Sequence, residues 1–116
     1  MVTPSPAYQI ALTKAKKFKT SILNEMEVKA DTPFLIKLTV DVNTLCNILR
    51  EGTTIGNKVN DGEFKKKLMG SVMAITSAIF IAQTVKYISV QQKQKLLEQL
   101  RKCTVLIVVP NINWNP

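Results

Sequence analysis

The sequence predicts an all-α protein folded as an antiparallel up-down four-helix bundle. Three observations predict it. Apolar residues recur at alternating spacings of three and four in four separate segments, the period that lays one apolar stripe along a helix. Residues that start or stop helices stand at the segment boundaries. The 116 residues supply one core and not two, so residues 1–116 are expected to form a single domain.

The first helix is predicted over residues 5–29. Ser5 can cap it and Pro6 suits its first turn, where the missing N–H costs nothing. Its stripe is Tyr8, Ala11, Ala15, Phe18 and Ile22, with Lys16 and Lys17 opposite and Lys14 and Lys19 flanking. The second helix is predicted over 33–51, capped by Thr32, with Leu35, Leu38, Val42, Leu45 and Leu49 inward. Gly52 is expected to stop it, since glycine takes positive φ without a Cβ penalty. Residues 52–62, with three of the four glycines, read as a loop.

The third helix is predicted over 63–86, with Asp61 as its cap and Phe64, Leu68, Val72, Ile75, Ile79 and Ala82 as its stripe. A second apolar line, Met69, Met73 and Phe80, lies beside it, and the remaining face is small: Gly70, Ala74, Ser77 and Ala78. A helix apolar or small nearly all round needs burial on more than one side. Three companions of this size cover about one face, so Met69, Met73 and Phe80 are expected to form an oligomer interface. The fourth helix is predicted over 89–108. Ser89-Val90-Gln91-Gln92 has the form of a capping box, and Leu96, Leu97, Leu100, Cys103, Thr104 and Ile107 face inward. Glu98 and Lys102 are spaced for an i,i+4 ion pair. Pro110 ends the helix and residues 110–116 form a tail.

Sixteen Lys and Arg against eight Asp and Glu give a net charge of +8. The excess is uneven. Residues 64–102 carry +7 and residues 5–29 carry +3, whereas residues 30–63 carry −2. Clustering of this kind fits a polyanionic partner, which the lysines would meet through phosphates with little sequence preference. The candidate nucleic-acid contacts are Lys16, Lys17, Lys65, Lys66, Lys67, Lys95, Arg101 and Lys102. Lys65, Lys66 and Lys67 fall in the predicted first turn of the third helix, where free backbone N–H groups also favour an anion.

Catalytic readings fare poorly. There is no histidine, which removes Ser-His-Asp, Cys-His and His-metal chemistry. No phosphate-binding glycine loop or calcium-loop motif is present, and Asp41 and Glu51 share no evident apolar pocket. No enzyme activity, metal or cofactor is expected. Cys46 and Cys103 lie in apolar-periodic segments outside any CxxC pair and read as buried reduced thiols. Met1–Pro6 lacks the basic and apolar regions of a signal peptide, so a cytoplasmic location is expected. Residues 68–85 are eighteen uncharged positions, the lower bound for a membrane span. Gly70, Thr76, Ser77, Gln83 and Thr84 dilute the stretch, so no membrane partner is expected, and a single-span protein stands as an alternative.

Three short motifs resemble a known superfamily of small four-helix bundles. Its members are proteins encoded in 23S ribosomal RNA intervening sequences and the accessory variability determinants of diversity-generating retroelements. Asn47-Ile48-Leu49-Arg50-Glu51-Gly52 is similar to the family's Asn-Ile-x-Glu-Gly, with the asparagine one residue out of register. Gly70-Ser71 is similar to the start of its Gly-Ser-Leu-x-Glu, with Ala74 or Ile75 where the intervening-sequence proteins carry glutamate. Ala82, then Tyr87-Ile88-Ser89 and a Lys/Gln/Leu/Glu-rich fourth helix, resembles the family's turn between the third and fourth helices. Trp114 is similar to a C-terminal tryptophan of the accessory proteins.

The resemblance covers about residues 33–108. It implies a homopentameric ring and, in the retroelement branch, a basic particle that binds a reverse transcriptase and template RNA or DNA. The excess of lysine and the missing glutamate fit that branch better. An intervening-sequence-type bundle of unassigned role is the alternative.

Overall fold

A computed structural model describes residues 6–55 and 61–108. Four helices follow in order: α1 (Pro6–Glu27), α2 (Thr32–Ile55), α3 (Asp61–Thr84) and α4 (Val90–Val108). α1 packs between α2 and α4, and α3 packs between the same two on the far side. Each helix therefore neighbours the next, and α4 returns to α1, as in an up-down four-helix bundle.

The apolar stripes meet on the bundle axis. Ala11, Ala15, Phe18, Ile22 and Met26 of α1 are buried, as are Leu38, Val42, Leu45 and Leu49 of α2. Leu68, Ile75 and Ile79 of α3 and Leu96, Leu100 and Cys103 of α4 complete the core. Each fully buried Leu or Ile contributes about 1.5–3 kcal/mol. Cys46 and Cys103 are both free thiols inside this core.

Several local features differ from the sequence reading. The cap of α2 is Asp31 and not Thr32: Asp31 Oδ1 accepts from the Phe34 amide at 2.8 Å. Asp31 Oδ2 also accepts from the Tyr87 hydroxyl at 3.0 Å, a bond between positions far apart in the chain. α2 does not stop at Gly52 but continues to Ile55. Gly52 is buried inside the helix, and a Cβ there would collide with the Tyr8 ring. The glycine thus serves a close approach of α1 to α2 and not a left-handed stop.

α3 runs from Asp61, and the capping role expected of the Asp61 side chain lies outside the described residues. Lys65, Lys66 and Lys67 consequently stand in the second turn, where their amides already belong to the helical ladder. The expected combination of lysines with free N–H groups is therefore not formed. α3 ends at Thr84, and Lys86 adopts φ 67°. The Tyr87 amide bonds Ala82 O at 2.8 Å and the Lys86 amide bonds Gln83 O at 3.1 Å, the paired bonds of a Schellman termination. Ser89 and Gln92 form the capping box in both directions, at 2.8 and 3.1 Å. Glu98 pairs with Arg101 and not with Lys102.

Edge-to-face aromatic pairs sit at both ends of the bundle. Tyr8 of α1 meets Phe64 of α3 with ring centroids 5.3 Å apart. At the other end, Phe34 of α2 meets Tyr87, just beyond α3, at 5.2 Å. The expected contribution of Ser5, the loop centred on residues 56–60 and the tail with Trp114 lie outside the described residues.

Candidate nucleic-acid interface

The cations that bear on the candidate contacts fall into three groups on the bundle surface. The first lies between α1 and α4. Lys14 and Lys17 sit one turn apart on α1, and Gln99 and Lys102 have the same spacing on α4. Because the two helices run antiparallel, all four side chains line one groove of about 210 Å³, together with the buried Phe18. The three lysines are exposed. Gln99 Oε1 is buried without a hydrogen-bond partner. Further along this edge, Lys95 pairs with Glu25 at 3.4 Å, which leaves that lysine partly neutralised.

The second edge lies between α1 and α2. Lys16 and Lys19 of α1 and Arg50 of α2 all act on the Cys46 thiol. Burial pushes that thiol up, and the three cations pull in the opposite direction. Arg50 also donates to Asn47 Oδ1 at 2.9 Å.

The third cluster is on α3, diagonal to α1. Lys65 is half-buried, whereas Lys66 and Lys67 are exposed. Lys67 lines an α2–α3 groove of about 490 Å³ with Asp41, Glu51 and Ser71. The two carboxylates that seemed unrelated in sequence thus share a groove, with a lysine opposite. Ser71 Oγ is buried there without a partner. Arg101 of α4 is engaged with Glu98, whose carboxyl it holds below the usual carboxylate range by hydrogen bonding.

Of the eight candidate contacts, the fold brings Lys17 and Lys102 into one groove. Lys16, the α3 lysines, Lys95 and Arg101 are placed elsewhere or already paired. Lys14 and Gln99 join the groove although neither belongs to the sequence-derived set. The matching i,i+3 spacings on α1 and α4 were the available signal. The up-down order already makes α1 and α4 neighbours, but reading the signal required their relative register along the axis.

The α3 surface is the other notable feature. Met73 and Phe80 are 64% and 47% exposed, and Ile81 and Val85 are similarly open. Gly70, Ala74 and Ser77 share this exposed side. Met69 is partly buried against the core and contributes less. Phe80 carries Lys93 Nζ over its ring at 4.9 Å. The stretch Glu63–Thr84 is long and apolar enough to cross a membrane: its most apolar 18-residue window has mean hydropathy 1.3 and is 28% buried. No metal-binding cluster is present among the described residues. No protein-family model, curated protein or solved structure matches the chain.

Proposed function

We propose that this chain is a non-enzymatic, self-associating helical bundle that binds nucleic acid through phosphate contacts. The observation that carries the reading is the α1–α4 groove, where Lys14, Lys17 and Lys102 converge from two helices with no acidic side chain in the lining. Three ammonium groups at the rim of one groove favour successive phosphates, and a net charge of +8 adds long-range attraction. Lys66 and Lys67 extend the cationic surface at the opposite edge. The open apolar side of α3 supports assembly, with Met73 and Phe80 covered by a second copy. The resemblance of residues 33–108 to retroelement accessory proteins suggests the partners: a reverse transcriptase and its template, served by a pentameric ring.

The test is the salt dependence of RNA binding. Exchanging Lys14, Lys17 and Lys102 together for glutamine should weaken binding and make the slope of log affinity against log salt shallower by about two, roughly 0.7 per lost single-strand phosphate contact. Unchanged affinity and slope would remove the groove from the site.

A further inference from the structure

We propose that the open face of α3 seats on the outer face of α2 of a second copy, with the two helices antiparallel and in one register. The pairing rests on the self-association proposed above and names the surface that the second copy brings.

Charge singles out α2 as the other half. Lys65, Lys66 and Lys67 precede the apolar stretch of α3, and Lys86 follows it. Two α3 faces laid parallel would oppose lysine to lysine. Laid antiparallel about the middle of the stretch, they would bring Lys66 to the turn that carries the other copy's Lys86. α1 and α4 hold Lys14, Lys17, Lys95 and Lys102 exposed and would meet α3 with like charge. The outward stripe of α2 differs. It starts at Ile36 and Val40, 60% and 57% exposed, and runs through the exposed Asn47 to the exposed Glu51. It is apolar at one end and acidic at the other, with Lys37 and Arg50 off to its two sides.

Register gives a second, independent match. In antiparallel helices a step forward along one is a step back along the other. Val40 placed over the exposed Ser77 sets Ile36, four residues back, against Ile81, four residues on and 53% exposed. Seven residues the other way, Asn47 falls on the exposed Gly70, and eleven residues that way, Glu51 falls on the exposed Lys66. Steps of four, seven and eleven return to nearly the same side of a helix, so the four pairs lie along one line. Each pair suits its members. Ile36 and Ile81 are both apolar, Val40 and Asn47 meet the small Ser77 and Gly70, and the Glu51 carboxylate meets the Lys66 ammonium.

Gly70 supplies a third support. A glycine inside a helix is destabilising, and no neighbouring element comes within 4 Å of the place its Cβ would take. Unlike Gly52, it makes room for nothing within the bundle. In this register it makes room for Asn47 of the second copy. Each copy carries both halves, so the contact repeats around a closed assembly. The pairing engages Lys66 and leaves the α1–α4 groove, on the opposite edge of the bundle, open to nucleic acid.

Cross-linking and light-scattering mass test the pairing in the full chain. Cys46 and Cys103 are buried, so introduced surface cysteines report alone. Val40→Cys and Ser77→Cys chains, refolded together and oxidised, should give a disulfide-linked pair of chains on a non-reducing gel. Val40→Cys with Lys66→Cys should give none. Glu51→Lys and Lys66→Glu should each weaken association about tenfold, and the chain carrying both should return to within about threefold of wild type. Helical content should hold throughout, because all four positions are exposed. A wild-type chain that assembles while the Val40–Ser77 link fails to form overturns this pairing and leaves self-association standing. So does a double variant no better than the single ones. A wild-type mass of 13.0 kDa at every concentration overturns self-association itself.

Discussion

Lys86 occupies a backbone conformation that a side chain disfavours. Its φ of 67° completes the Schellman termination of α3, and an L-residue there costs roughly 1–2 kcal/mol. Lys86→Gly should therefore raise stability by about 1 kcal/mol, read as a higher midpoint in thermal or urea unfolding. Cys103 gives a pH effect. Burial, with a smaller contribution from Cys46, pushes its thiol up from 9.0 to about 12. The folded chain holds this proton more tightly than the unfolded one, so the contribution is complete below pH 9.0 and is lost as pH rises toward about 12. Relative to Cys103→Ala, the wild-type chain should lose stability across that window in urea titrations, and parallel profiles would contradict the assignment. At this scale, legibility was mixed even for local pairings: Glu98 was read against Lys102 and pairs with Arg101. The Ser89–Gln92 box spans three residues and could be read directly. The cap of α2 was misplaced by one residue because Asp31 and Thr32 are both capping residue types, and the bond of Asp31 to Tyr87 needs the folded chain.

Among the elements, α3 departs furthest from a conventional bundle helix. Its inward stripe is buried, yet Met73, Phe80, Ile81 and Val85 remain open. Sequence periodicity showed this surplus because both faces of α3 are apolar or small. Met73→Glu combined with Phe80→Glu should reduce the light-scattering mass of a self-associated protein to that of one 13.0 kDa chain. Helical content should hold, since neither residue belongs to the core. A mass identical to wild type would exclude this face from assembly. The boundary of α2 was less legible. A glycine near a helix end ordinarily suggests a stop, but here Gly52 makes room for the Tyr8 ring and the helix runs on to Ile55. Composition alone cannot distinguish a glycine chosen for its φ from one chosen for lack of a Cβ. The distinction lies in α1.

For the whole molecule, the four stripes were enough to specify an all-α bundle, because each helix buries the face that its own spacing marks. Charge was legible only as an excess. The candidate cations fall into separate groups, and which of them cooperate depends on the ring of neighbours α1, α2, α3 and α4 and on their register. That order places Lys14 and Lys17 beside Lys102 and sets the α3 lysines diagonally across from them. The same order gives the two aromatic pairs a mechanical meaning. Tyr8–Phe64 fastens the start of α3 to α1, and Phe34–Tyr87 fastens the chain just past its end to α2. A one-turn slide, about 5.4 Å along the axis, would break both fastenings together. Losing both pairs at once costs roughly 1–3 kcal/mol, so the two clasps bias α3 toward a single register, and whatever settles on its open side meets side chains in that register.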